Sequence, residues 1–316
     1  MSGVPTAPQL SIQLLNFAQS ATDWEPLLQL AATADRAGVD RLVVSDHVLF
    51  GERLGAYGDP STGGIAGGRQ PTTSDGHWLE PMTLLSVIAG RTRRVRLGTS
   101  ILLAALRTPT VLAMQAATLD VMSGGRLDLG VGVGWQREEY EASGLSFEGR
   151  GELLDHCLEV CRRLWTESVV DGVIGDARFD NVHAAPKPLQ PGGVPIWVSG
   201  RATARTAARL ARFGVGWIPW GDDAVDPRPG IAVMRAAFAA AGRDPSGLLA
   251  QGTLPVVREN GRVNVEASMA GVSALADTGV TDFRVPYRWG VDPVTEADLL
   301  EALVGAFRLV TGASAT

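Results

Sequence analysis

The sequence predicts an α/β fold of the (β/α)8 TIM-barrel class, and three observations carry that expectation. Short Val-, Ile- and Leu-rich runs alternate with longer helical patterns from one end of the chain to the other, eight of each. The apolar runs show little polar alternation, which suits parallel strands buried on both faces. The length of 316 residues fits one barrel of ~250 residues with insertions. An open doubly wound sheet is the structural rival. No linker, composition break or repeat divides the chain, so residues 1–316 read as one domain.

The strand-like runs are Leu10–Phe17, Arg41–His47, Val95–Leu103, Leu127–Gly134, Pro195–Gly200, Gly214–Gly221, Leu248–Val257 and Asp282–Tyr287. The helical patterns between them cover Trp24–Gly38, Glu80–Thr92, Thr110–Met122, Gly151–Trp165, Ala202–Phe213, Ile231–Gly242, Arg262–Gly279 and Thr295–Thr311. Gly38, Gly242 and Gly279 stand where a left-handed residue ends a helix.

Two connections exceed ordinary loops. Val48–Trp78 carries eight glycines and follows the second strand, so it reads as an insertion over the active-site rim. Ser168–Gly193 reads as a small hairpin excursion before the fifth strand, with Val169–Ile174 and Asp180–His183 as its arms and packing or a dimer contact as its role.

The net charge of −6 speaks against nucleic acid and anionic membrane surfaces as partners. Of 28 basic residues only Lys187 is a lysine, a bias attributed to genome composition. Cys157 and Cys161, four apart on one helical face, are expected to be reduced packing residues rather than metal ligands. With no signal-peptide plan at the N-terminus and no apolar run of ~20 residues, a soluble cytoplasmic protein is expected.

In a barrel, the C-terminal ends of the strands converge on one site. Those ends supply Asn16-Phe17, Asp46-His47, Ser100-Ile101, Gly132-Val133-Gly134-Trp135, Ser199-Gly200-Arg201, Trp220 and Arg288-Trp289; Thr253 and Pro255 of the seventh strand say little. His47 can exchange a proton near neutrality. Asp46, pointing the other way along the strand, is better placed to bond a ligand than to orient His47. Structural hydrogen bonding and metal ligation are the other readings of this pair, but no second histidine cluster accompanies it. The glycines at 130, 132 and 134 do not make a dinucleotide fingerprint, since the third glycine of that motif is missing; they let a ring or backbone approach. Ser199-Gly200-Arg201 opens a helix and can hold an anion, or Ser199 can be a plain cap. Trp78, Trp135, Trp220 and Trp289 near one rim suit a flat aromatic ligand.

Several strings resemble the luciferase-like monooxygenase superfamily, in order and spacing, over residues 10 to 310. They are Val44-Ser-Asp-His47, Arg96-Leu-Gly-Thr-Ser-Ile101, Leu127-Asp-Leu-Gly-Val-Gly-Val-Gly-Trp135, Pro186-Lys-Pro-Leu-Gln190, Pro195-Ile-Trp-Val-Ser-Gly200 and Gly214-Val-Gly-Trp-Ile-Pro219. Within it, the chain most resembles the branch of coenzyme F420-dependent oxidoreductases. The resemblance implies a homodimer and a deazaflavin cofactor, F420, with FMN as the alternative. It implies a non-prolyl cis peptide at Ser100–Ile101 behind the ring, Asp46 on the ring and His47 beside it as proton donor or acceptor. It also implies that Gly132, Gly134 and Trp135 line the ring, and that Ser199, Gly200 and Arg201 face the phosphate-bearing tail.

The family's sugar-phosphate dehydrogenases carry a glutamate in the strand-four loop and another after strand one, where this chain offers Trp135 and Asn16, and phosphate-binding lysines that are absent here. A small, mostly apolar substrate such as an enone or ring imine is therefore expected. The alternatives are an FMN-dependent monooxygenase fed by a separate reductase, a cofactor-binding protein without turnover, and a metal-dependent hydrolase built on Asp46 and His47.

Overall fold

The computed structural model describes residues 7–286 and 293–313. Eight parallel strands close into a barrel: β1 (Gln9–Gln13), β2 (Arg41–Val44), β3 (Arg96–Thr99), β4 (Leu127–Val131), β5 (Ile196–Gly200), β6 (Gly216–Pro219), β7 (Leu249–Thr253) and β8 (Asp282–Pro286). Each pairs with its sequence neighbours, and β8 returns to β1 through Gln9–Asp282 to Gln13–Pro286. The closed barrel displaces the open-sheet rival. Its strands lie inside the expected runs but are shorter, because the ladder stops where each chain turns out at the rim. All four residues of β2 and all five of β4 are buried, as a strand covered on both faces requires.

Helices α1 (Glu25–Ala37), α2 (Pro81–Arg91), α3 (Pro109–Ser123), α4 (Arg137–Ala142), α5 (Arg150–Thr166), α6 (Ala204–Phe213), α7 (Arg228–Ala240), α8 (Val265–Met269), α9 (Val272–Ala276) and α10 (Pro293–Thr311) pack outside. Prolines open α1, α2 and α3, where a missing N–H costs nothing. Gly38 ends α1 at φ 85°, donating to the Ala34 and Asp35 carbonyls.

Three expectations are corrected. The single helix foreseen over Arg262–Gly279 is a short β-hairpin (Arg258–Glu259 with Arg262–Val263) followed by α8 and α9, because Asn260-Gly261 makes a turn and Asn264 caps a new helix through the Ala267 N–H. Helix α4 stands where no helix was foreseen. The first strand breaks after Gln13, and Phe17–Ala18 pairs antiparallel with His77–Trp78 at the end of the insertion. Tyr287, Arg288 and Trp289 lie outside the described residues.

The barrel's N-terminal end is plugged by charge. Buried Arg41 bonds Asp128 at 2.9 Å and Asp282, and Arg96 grips the same Asp128 through two nitrogens at 2.7 Å. Burial alone would raise the Asp128 carboxyl, but Arg41 and Arg96 outweigh it and hold it low; burial wins at Asp282 and pushes it up. Buried charges persist when paired in this way. The opposite end is left open for chemistry.

The hairpin excursion is present as Val170–Ile174 paired with Ala177–Val182. Cys157 and Cys161 are both buried and free, and no group of three metal-ligating side chains occurs among the described residues. No helix among them is long and apolar enough to cross a membrane.

Candidate active site

The C-terminal strand ends open into one cavity of about 490 Å³, roofed in part by the insertion between β2 and α2. All ten residues expected at the site, from Asp46 and His47 to Ser199, Gly200 and Arg201, line it. The insertion is pinned down over the opening: Trp220 Nε1 donates to the Gly63 carbonyl at 2.9 Å and Arg150 to the Thr62 carbonyl at 3.2 Å.

His47 follows β2 and is nearly enclosed, with 10% of its side chain exposed. Its ring meets Trp78 edge-on at 4.8 Å, Trp135 at 5.8 Å and Phe50 at 4.4 Å. Nδ1 lies 3.2 Å from Oε2 of Glu139, and the other oxygen of that carboxylate accepts the Val48 N–H at 2.8 Å. Glu139 is fully buried on α4. One ring nitrogen is thus committed, and Nε2 has no partner among the described residues. An imidazole fixed through Nδ1 by a carboxylate can hand a proton on at Nε2.

Asp46 behaves otherwise than its strand position suggested. Its carboxylate is wholly enclosed and accepts the Leu103 N–H at 2.8 Å together with two nitrogens of Arg107, at 2.6 and 3.1 Å. The side chain ties the chain leaving β3 to the chain leaving β2, so both of its oxygens are engaged within the protein. Asn16 is likewise consumed: Nδ2 donates to the Ser45 and Leu79 carbonyls, and Oδ1 accepts from the Ser45 amide and hydroxyl.

Beyond β3 the peptide between Ser100 and Ile101 is cis, at the place the resemblance implied. The Ile101 side chain lies against Gly132, where an added Cβ would come within 2.8 Å of its Cδ1. Gly134 has φ 69°, and a Cβ there would meet Leu103 at 2.7 Å. These glycines keep the wall between β3 and β4 flat, and Trp135 continues it. Tyr57 of the insertion stands edge-on to Trp135 at 5.4 Å and to Trp220 at 6.2 Å.

At the mouth, Ser199, Gly200 and Arg201 end β5 without opening a helix. Helix α6 begins at Ala204 and is capped by Thr203, which accepts the Thr206 N–H at 3.2 Å, so Ser199 is not the cap. Asp223 already accepts the Ala202 N–H at 2.8 Å. The anion-binding capacity left at this corner is the Arg201 guanidinium.

Sequence reading missed Glu139, Tyr57, Gln70 and Arg284, all but the first of which line the cavity. The Trp135 indole N–H, both amide atoms of Gln70 and Nε of Arg284 are buried without a partner among the described residues. Buried polar groups are rarely left so. A flat heterocycle bearing ring N–H and carbonyl groups would satisfy them, and the flat wall at Gly132 leaves room for its face. The residues present therefore fit a flavin or deazaflavin ring.

The sequence pattern described as luciferase-like monooxygenase matches residues 9–270. The chain belongs to that family. An uncharacterised protein of Mycobacterium tuberculosis is 30% identical over 291 residues, covering 88% of this chain and 91% of its own. The F420-dependent glucose-6-phosphate dehydrogenase of Nocardia farcinica is 30% identical over 204 residues, 62% of this chain and 54% of its own. Among solved structures, an F420-dependent secondary alcohol dehydrogenase in complex with an F420-acetone adduct superposes with a TM-score of 0.73 at 18% identity, covering 96% of this chain and all of that one. The proteins similar to this chain thus include F420-dependent enzymes, and the closed barrel seen here is the fold of that solved structure.

Proposed function

We propose that the chain is an F420-dependent oxidoreductase that moves a hydride between the deazaflavin and a small, mostly apolar organic substrate. The observation that carries this reading is the pairing of His47 with buried Glu139 at the wall of a flat, tryptophan-lined cavity. The F420-dependent enzymes among its relatives support the choice of ring.

A bound deazaflavin supplies a ring carbon that gives or accepts hydride and reacts poorly with oxygen. The protein's own part is to hold the ring and to handle the proton. Ser100, Ile101, Gly132, Gly134 and Trp135 form the wall on which the ring would lie. Arg201 beside Gly200 offers a cation to its phosphate. His47 supplies or takes the proton at Nε2 while Glu139 keeps the imidazole in one orientation. The insertion, held by Arg150 and Trp220, excludes water.

The second reading is an FMN-dependent monooxygenase supplied by a separate flavin reductase. It is favoured by the family's own description as luciferase-like monooxygenases.

Anaerobic incubation with reduced F420 and a panel of cyclic enones and imines tests the proposal. Reappearance of the oxidised ring's absorbance, dependent on both enzyme and acceptor, is expected. Turnover only with reduced FMN and oxygen would replace it with the monooxygenase.

A further inference from the structure

Arg284 carries a positive charge into the cavity from the middle of β8, and among the described residues only hydroxyl groups bond it. One terminal nitrogen lies 3.4 Å from Ser100 Oγ and the other 2.8 Å from Thr253 Oγ1, while Nε is buried without a partner. Three other guanidinium groups of the barrel are held by carboxylates instead. Arg41 holds Asp128 and Asp282, Arg107 holds Asp46, and Arg209 holds Asp155 at 2.5 Å. Asp282 stands two residues away in β8, but its oxygens are already shared among Arg41, Ser11 and Gln251.

The residue is half-buried, and the part of its guanidinium removed from water loses more than two neutral hydroxyls return. Burial indeed pushes Arg284 below arginine's ordinary range, although an arginine so placed stays cationic. The insertion brings one more polar group to the same cavity, Tyr57. Burial pushes its phenol up, against the opposing pull of the Arg284 charge.

We propose that Arg284 is an oxyanion-binding group, so that the ligand end facing β8 presents a negatively charged oxygen, with Tyr57 of the insertion as the neighbouring donor. A planar carboxylate or enolate matches the guanidinium fork. Two sources share that chemistry: a substrate carboxylate or enolate, and the pyrimidine carbonyl of a reduced ring, which carries the anion's charge. The ring as a source rests on the proposed function; the anion site itself does not. In either case the substrate's body is apolar and flat, as the tryptophans require, while the pocket selects for one charged end.

The test uses the full chain and its Arg284→Gln and Arg284→Lys variants, with thermal melts to verify folding. In ring-free protein, tryptophan fluorescence follows binding of cinnamate and of neutral cinnamamide. Wild type is expected to prefer cinnamate by about tenfold, the worth of one charge-assisted hydrogen bond. Arg284→Gln is expected to erase that preference and Arg284→Lys to keep part of it. In a second arm, the ratio of affinities for reduced and oxidised F420 is compared between wild type and Arg284→Gln. Loss confined to cinnamate assigns the oxygen to the substrate, and loss confined to the reduced ring assigns it to the ring. A wild type that prefers neither cinnamate nor the reduced ring overturns the proposal, whatever the variants' stability. A wild type that binds no ring yet prefers cinnamate overturns the proposed function and leaves the anion site standing.

Discussion

Nδ1 of His47 and Oε2 of Glu139, 92 residues apart in sequence, meet at 3.2 Å in the wall of the cavity. Glu139 is fixed in turn by the Val48 amide, and its side chain is 1% exposed, so the carboxylate cannot swing away. The pair sets which imidazole nitrogen faces the ligand. Replacing His47 with Ala is expected to lower turnover by ~10²–10⁴ without weakening ring binding to match. Glu139→Gln keeps the shape but loosens the ring's orientation, and should cost up to about 10²-fold in kcat. Steady-state kinetics beside a ring titration check both. Full turnover in His47→Ala would remove the proton role.

Asp46 is a tie between strands, so its replacement should be felt in stability first. Asp46→Ala leaves Arg107 with Glu80 as its remaining carboxylate and frees the Leu103 N–H. A loss of about 3 kcal/mol is expected, near the lower end for breaking a buried pair. Urea unfolding measures it. A variant as stable as wild type that no longer binds a ring would return Asp46 to the ligand.

Gly132→Ala should separate ring binding from folding. Its methyl would stand 2.8 Å from Ile101 Cδ1 and displace that side chain. Overpacking of this kind costs about 1–3 kcal/mol, which the fold can survive. Ring affinity is expected to fall by at least about tenfold, because the wall is no longer flat. Unchanged affinity would show that the ring lies elsewhere in the cavity.

Acid sensitivity is expected from Asp35, at the end of α1. It accepts the backbone N–H groups of Arg93, Arg94 and Val95 at 3.0, 2.8 and 2.7 Å. Burial alone would raise its carboxyl, but the three amides, helped by the Arg94 charge, outweigh it and hold it below an aspartate's ordinary range. A folded pKa below the unfolded one gives stability that is present above the unfolded value and lost as pH falls through the folded value. Asp35→Asn should therefore cost about 2 kcal/mol at neutral pH and flatten the fall in Tm below about pH 4. Melts across that range decide it; an unchanged acid slope would contradict the assignment.

The barrel was legible because buried parallel strands leave continuous apolar runs, and because strand ends such as Gly132 to Trp135 converge by topology alone. Glu139 was not legible by that rule. It lies on α4, past the strand end, and only the burial of Glu139 beside Tyr140 within Arg-Glu-Glu-Tyr sets it apart from Glu138. Arg284 sits inside a strand rather than at its end; a basic residue in the middle of Asp282–Pro286 was the available signal. The bond from Arg107 to Asp46 was not legible because strand alternation gives a side chain's direction and not its partner, and Arg107 lies 61 residues away. The hairpin at Asn260-Gly261 carried a standard turn signal that the surrounding helical pattern hid.

The central claim is that this cavity holds a deazaflavin beside His47. It is tested most directly by titrating the purified protein with oxidised F420 and, separately, with FMN, while following tryptophan fluorescence. Trp78, Trp135 and Trp220 all line the cavity, so a bound ring should quench them. Saturable quenching by F420 at micromolar concentrations, weakened in Gly132→Ala, is expected, with none by FMN at the same concentrations. Saturable quenching by FMN alone would contradict it and move the chain to the flavin monooxygenases of its family.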